Sequence, residues 1–229
     1  MYTSIYFISN VVNWIVNLLA LVAALLYCYR SFNPSYLRIF PTYLFVSIMV
    51  EILVNSYITN AFDFQPFGGN QHYAKMAFYN LFTPFELFAF SWFLFQVIQS
   101  SMIKKALIAL LVVFSIFFIQ YSLKTDLGKK PNSIAVILES VIIIVPCLTY
   151  FRELFAWKEP VDLLKEPSFW LVTGIFFYVA TIVPLYVTNN YLAGHGMETV
   201  AKSLSSINNF ALSISYLLFI KGFTCRIKK

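Results

Sequence analysis

Apolar side chains fill the chain in seven runs separated by short polar strips, and each run is about as long as a bilayer's hydrocarbon core is thick. At about 20 residues per spanning helix, these runs predict helices over 8–29, 39–59, 76–98, 105–123, 134–154, 167–190 and 200–222. No strip between them is long enough to hold a soluble domain. The pattern therefore predicts an all-α membrane protein, a single-domain seven-transmembrane-helix bundle over 1–229.

Inside the runs, polar side chains recur at helical spacing. Asn13 with Asn17 and Glu51 with Asn55 are i, i+4 pairs, Tyr79 with Glu86 is i, i+7, and Thr83 with Glu86 is i, i+3. Ser205, Asn208 and Asn209 likewise share a side of the last helix, so each set projects from one face. Three glutamates, Glu51, Glu86 and Glu139, lie at bilayer depth with no spanning Lys or Arg at a matching level. Ionisable groups there are costly and mark either a functional site or a structural partner.

An Asn, Ser or Thr on a spanning helix often only bonds a neighbouring helix, a contribution of about 0.6 kcal/mol. Helix-to-helix bonding of that kind needs no carboxyl, which sets Glu51 and Glu86 apart. Glu139 is nearer the surface, where hydration alone would account for it. The polar groups fall in the middle and one half of the predicted bundle. Segments such as 87–94 and 171–177 leave the other half apolar. A polar pocket between helices with an apolar floor fits both halves of this distribution. The expected ligand- or proton-binding set is Glu51, Glu86 and Glu139 with Asn55, Asn80, Asn208 and Asn209. Carboxyls sharing such a pocket suit a proton, or a cationic or hydroxyl-rich solute.

Composition agrees with a membrane setting: 60% hydrophobic, 19% aromatic and 11% charged residues, with a mean hydropathy of +0.75, leave no polar coat for a soluble core. The net charge of +6 does not point to nucleic acid, because the basic residues gather at helix ends and form no stripe. They speak to orientation instead. Arg30, Arg38, Lys104, Lys105, Arg152, Lys158, Lys165, Lys221, Arg226, Lys228 and Lys229 fall on one side of the predicted membrane. Lys75, Lys124, Lys129, Lys130 and Lys202 fall on the other. Eleven against five predicts the first side to be cytoplasmic, with the N-terminus outside and the C-terminus inside a bacterial inner membrane. The first run follows no basic residue and exceeds a signal peptide's apolar region, so it is read as a retained span.

Other features carry less. Cys28, Cys147 and Cys225 lie in or beside predicted helices, which leaves no external disulfide, and no Cys or His cluster suggests a metal or other cofactor. Pro84, Pro146 and Pro184 each remove a helix hydrogen bond and offer bends, although membrane helices carry proline freely. The loop 60–74, with Gln65, Pro66, Gly68, Gly69 and His72, and the turn at Gly194, His195 and Gly196 lie on the same side. They read as solvated turns, or as a lid. The strip 157–166 reads as an interfacial connector with snorkelling lysines, or as a place for a partner to dock.

Helices one to three and five to seven share an orientation, which permits a parallel 3+1+3 pseudo-repeat with the fourth as a lipid-facing linker. Tyr29–Arg30 and Phe151–Arg152 end the first and fifth helices alike. Residues 40–43 (FPTY) and 166–169 (EPSF) open the second and sixth, and 90–95 (FSWFLF) resembles 214–219 (ISYLLF). Parallel repeats occur in transporters, and in length and helix count the chain looks like the small sugar carriers of the SWEET family, although no Pro-Gln pair lies on a spanning helix. No lysine stands midway along the seventh helix as a retinal protein requires. The two histidines, both in loops, do not make the zinc set of ceramidase-type hydrolases. The segments 80–92 (NLFTPFELFAFSW) and 216–229 (YLLFIKGFTCRIKK) resemble small bacterial seven-helix inner-membrane proteins of unassigned function. That resemblance implies a signalling context and assigns no residue a role.

The function expected from these readings is a non-enzymatic sensor or accessory module. It would bind a small ligand from the outer side and pass a helix shift to a separate membrane or cytoplasmic signalling partner. The alternatives are a proton-coupled carrier of a small polar solute and, last, a lipid-modifying enzyme with a glutamate as general base, for which no nucleophile or phosphate loop stands near the carboxyls.

Overall fold

The computed structural model describes residues 2–30, 35–54, 71–128, 132–156, 162–195 and 197–225. They form an all-helical bundle: α1 (Tyr2–Arg30), α2 (Ile39–Val54), α3 (Gln71–Val97), α4 (Ser101–Lys124), α5 (Ser133–Ala156), α6 (Pro167–Gly194) and α7 (Glu198–Thr224). Single 3-10 turns at Ser35–Arg38 and Leu163–Lys165 lead into α2 and α6. Each expected run overlaps a helix, the second, over 39–59, only as far as Val54, beyond which residues 55–59 are outside the described ones. Asn55 and the loop 60–70 lie outside the described residues.

Among the described residues, five helical stretches are long and apolar enough to cross a membrane: Ile8–Cys28, Tyr36–Leu53, Ser101–Lys124, Ser133–Ala156 and Pro167–Asn189. This is compatible with a multi-pass membrane protein. α3 and α7, at 27 residues each, are also long enough for a bilayer but less apolar. The deficit has a physical origin, because these two helices carry much of the polar interior: Asn80, Thr83, Glu86 and Ser91 on α3, Ser206, Ser213 and Ser215 on α7, all buried.

The amphipathy of α1 is the reverse of a soluble helix. Ser9, Asn13 and Asn17 are buried, with Ala20 and Ala24 continuing the same face, whereas Ile8, Val11, Ile15, Leu18, Leu19, Val22, Leu25 and Leu26 are exposed. In water such a continuous apolar surface invites association; in lipid tails it is solvated. α4 is still more outward, with Ile108, Val112, Val113, Ile116 and Ile119 exposed and only Leu107, Phe114 and Phe118 buried.

Packing closes α1, α2, α3, α5, α6 and α7 into a ring in which each helix touches the next and α7 returns to α1. α4 rests outside, on α3 and α5. Its start is tied to α5 by the Glu153 carboxylate, which accepts the backbone N–H of Gln99 at 2.7 Å and of Ser100 at 2.8 Å. α6 and α7 approach most closely, as small residues permit between membrane helices. A Cβ on Gly174 would stand 2.7 Å from the Phe219 ring, and one on Gly222 would meet the Pro167 carbonyl at 3.2 Å.

Away from the N-terminal end of α1, the ring is filled by aromatic side chains. The Phe40 ring lies 4.9 Å from Phe93, 5.3 Å from Phe219 and 5.8 Å from Phe223, each edge-on. Such pairs are worth about 0.5–1.5 kcal/mol each beyond their burial. With Leu37, Leu44, Leu94, Leu171 and Ile175, all inaccessible to solvent, they make an apolar plug under the polar layer.

Candidate functional site

The polar layer is built on helical stripes that meet in the ring. Tyr43, Ser47 and Glu51 succeed one another at i, i+4 and i+8 on α2, and Ser9, Asn13 and Asn17 do the same on α1. α7 contributes Asn209, Ser213 and Tyr216. Where α1, α2 and α7 meet, the Asn13 side-chain amide donates to Glu51 Oε1 at 2.9 Å. Asn17 Nδ2 donates to Ser47 Oγ at 3.3 Å, and the Ser47 and Tyr216 hydroxyls are 3.1 Å apart. The Ser213 hydroxyl donates to the Asn209 carbonyl of its own helix at 2.8 Å and stands 3.4 Å from Asn13 Oδ1, and Asn209 Nδ2 donates to Asn10 Oδ1 at 2.8 Å and Ser9 Oγ at 3.2 Å.

A second carboxyl centre lies across the ring. The Tyr43 hydroxyl of α2 donates to Glu86 Oε1 at 2.6 Å, and the Tyr178 hydroxyl of α6 points to Glu86 Oε2 at 3.4 Å. The first is a short hydrogen bond and the second lies beyond the usual O–H···O range. Glu139 of α5 is 4% exposed, and its Oε1 has no hydrogen-bond partner among the described residues. Glu139 interacts electrostatically with Glu86, and both carboxyls act on Tyr178 and Tyr186.

The level of these two carboxyls is set by a clamp at the head of α5. Asn80 Nδ2 donates to the Leu127 carbonyl at 2.7 Å, Asn80 Oδ1 accepts the Asn132 N–H at 2.8 Å, and Asn132 Oδ1 caps α5 through the Ala135 N–H at 3.0 Å. From that clamp, Glu86 is six residues along α3 and Glu139 seven along α5. At 1.5 Å per residue, both lie about 10 Å deeper.

Of the expected site residues, Glu51 and Asn209 join the first centre, and Glu86 and Glu139 join the second. Asn80 is spent on the α4–α5 turn. Asn208 is partly exposed, and its Oδ1 has no partner among the described residues. Asn55 lies outside the described residues, as do the side chains of Ser205 and His72. Thr83 and Thr181 bond carbonyls of their own helices, Tyr79 and Phe177. His195 sits at the end of α6, its Nδ1 2.8 Å from the Tyr191 carbonyl and its ring 4.2 Å from that of Tyr191.

Sequence reasoning passed over Tyr43, Ser47, Ser213 and Tyr216 as members of the site. The stripe at 43, 47 and 51 was the available signal, obscured because tyrosine in a run of phenylalanines reads as packing.

Among the described residues, no Lys, Arg or His pairs with Glu51, Glu86 or Glu139, and no cluster of His, Cys, Asp and Glu could hold a metal ion. At the far end of the bundle the connector before α6 is anchored by Leu164, whose carbonyl accepts Trp170 Nε1–H at 3.1 Å and the Cys225 thiol at 3.3 Å. Lys165 and Asp162 pair beside it. Burial raises the Cys225 thiol above its ordinary value, outweighing the nearby Lys221, which lowers it, and with a smaller push in the same direction from Glu166. No family model, curated protein or solved structure matches this chain.

Proposed function

We propose that the chain is a seven-span inner-membrane bundle, N-terminus outside and C-terminus cytoplasmic, acting as a non-enzymatic sensor or accessory module. Its polar layer receives a small ligand or a proton at Glu51, Glu86 and Glu139 and passes a helix displacement to a separate signalling protein. One observation carries the reading: three glutamates at bilayer depth from three helices, Glu86 and Glu139 buried and Glu51 half-buried, without a cationic partner among the described residues, above an aromatic plug. A buried carboxyl left uncompensated is expensive in a low-dielectric interior, and membrane helices bond adequately without one. The plug favours sensing over conduction, because a carrier needs a polar way through both halves.

Native mass spectrometry on protein drawn gently from its own membrane tests this. A stoichiometric second protein, or a retained small molecule lost in the Glu86→Gln variant, supports it; a lone chain with no bound species at all opposes it.

A second reading, a proton-coupled carrier, draws support from the packing order. The succession α1–α2, α2–α3, α3–α5 is repeated by α5–α6, α6–α7, α7–α1, as a parallel 3+1+3 pseudo-repeat requires. Counterflow of labelled solute in proteoliposomes, abolished by Glu51→Gln, would establish it.

A further inference from the structure

We propose that Glu86 and Glu139 form a single binding unit for one proton, carried on Glu139 and hydrogen-bonded to Glu86. The inference deepens the reading of the polar layer as a ligand- or proton-binding site and names the occupant of its second centre.

Three observations lead there. The two carboxyls come to one level from α3 and α5, which the Asn80–Asn132 clamp holds in register. The titratable groups that interact with them from the neighbouring helices are Tyr43 of α2, Tyr178 and Tyr186 of α6, and Tyr216 of α7, all of them phenols, and the hydroxyls of Tyr43 and Tyr178 point to Glu86. Finally, the hydroxyl bonds fall unequally. Glu86 has a tyrosine hydroxyl at each oxygen, whereas Glu139, buried to the same degree, has Oε1 without a partner among the described residues.

Two ionised carboxylates so placed would repel each other with no cation among the described residues to offset them, and carboxyls that share a site do not both ionise. One added proton answers every part of the problem. On Glu139 it removes one charge from the apolar layer. It turns an acceptor-only group into a donor. Directed at Glu86, it adds a second close donor to the carboxylate that Tyr43 already serves. The reverse placement would give an ionised Glu139 only that one donor at Oε1, while the Tyr43 hydroxyl donated to a neutral acid. A proton also needs no cavity, and the layer is closely filled here, with Tyr43 4.7 Å from the Phe90 ring. Glu51 differs, since the Asn13 amide already serves it. Loss of the proton would leave two like charges facing each other, and α3 and α5 would be driven apart. That displacement is of the kind a sensor needs.

The experiment is infrared spectroscopy of the wild-type protein and its Glu139→Gln and Glu86→Gln variants in lipid at neutral pH, with hydrogen–deuterium exchange to identify protonated carboxyl bands. The expected result is a carboxylic C=O band in the wild type that shifts in D2O, is lost in Glu139→Gln, and persists at a changed frequency in Glu86→Gln. Gln at position 139 keeps the shape and offers Glu86 an N–H, so that variant should fold; its helix content is checked by circular dichroism. Should it not fold, the wild-type spectrum still decides the matter, since the absence of any protonated-carboxyl band refutes the proposal. So does a band untouched by Glu139→Gln, a band whose frequency ignores Glu86→Gln, or one that sodium or potassium chloride displaces. These spectra are independent of partner capture in native mass spectrometry. A pair that holds its proton in a chain with no partner overturns the sensor reading alone, and a partnered chain without the band overturns this inference alone.

Discussion

Replacing Tyr43 with Phe removes a single oxygen from the centre of the bundle, and the cost of doing so reports the charge of its acceptor. The hydroxyl donates to Glu86 Oε1 at 2.6 Å, and the ring keeps its contacts with Phe90 at 4.7 Å and Phe82 at 6.0 Å. Almost all of the change is therefore the hydrogen bond. A bond to an ionised acceptor contributes about 1.5–3 kcal/mol, whereas neutral bonds between membrane helices average about 0.6 kcal/mol. Tyr178, at 3.4 Å from the other oxygen, is too distant to replace it. With the proton on Glu139 and Glu86 ionised, Tyr43→Phe should destabilise the wild type by about 2 kcal/mol. In a Glu86→Gln background the cost should fall to about 0.6 kcal/mol. The coupling energy is then about 1–2 kcal/mol, well above the noise of a double-mutant cycle. Reversible unfolding in mixed lipid–SDS micelles measures it for the four proteins. A coupling near zero would show that hydroxyl and carboxyl are not bonded. A cost of about 0.6 kcal/mol in the wild type would show that Glu86 is neutral and refute the assignment of the proton to Glu139.

Three further outcomes follow from other parts of the molecule. Gly174→Ala should destabilise the bundle by about 1–3 kcal/mol through overpacking, because its Cβ would stand 2.7 Å from the Phe219 ring; Gly174→Ala combined with Phe219→Leu should recover part of that in the same unfolding assay. Asn80→Ala should cost about 1–3 kcal/mol by leaving the buried Asn132 N–H without its acceptor, and, because that clamp holds α3 and α5 in register, should shift the protonated-carboxyl band in the infrared spectrum. Retained as the only cysteine, Cys225 should react with an impermeant maleimide only after cells are permeabilised, and more slowly than a free cysteine because burial raises its thiol; labelling of intact cells would reverse the proposed orientation.

Much of the bundle was legible because lipid imposes one constraint on every spanning helix: a long run with few charges. Helix positions followed from that, while their ends were harder to read. α1 begins at Tyr2 rather than at residue 8, and α3 at Gln71 rather than 76, since interfacial polar residues continue a helix without appearing in a hydropathy run. The carboxyls were legible for the same reason, as charges where charges are costly. Their partners were not. Asn80 and Asn209 look alike as isolated asparagines, yet one clamps a turn and the other joins the layer. The difference depends on which helices are neighbours in the ring, and periodicity along a single helix does not contain that information. Tyr43 and Tyr216 were hidden further, because a tyrosine ring packs as phenylalanine does and only its oxygen tells them apart.

The two carboxyl centres are joined most closely through α2 and α7. Along α2, Tyr43 serves Glu86, Ser47 meets Tyr216, and Glu51 meets Asn13, so one helical stripe touches both centres. α7 extends that connection to the opposite end. Tyr216 bonds the layer through its hydroxyl, and one and two turns on, Phe219 and Phe223 pack on Phe40. Beyond them Cys225 reaches the Leu164 carbonyl of the connector. Closely packed interiors pass displacement rather than absorb it, and Gly174 and Gly222 leave α6 little room to move independently of α7. A change of charge at Glu86 and Glu139 would therefore be felt at the far end as a movement of the α6–α7 pair against α2. The face where a partner would read it is the one bearing Trp170, Lys221 and the connector, where Lys221 already lies 5.9 Å from the Trp170 ring.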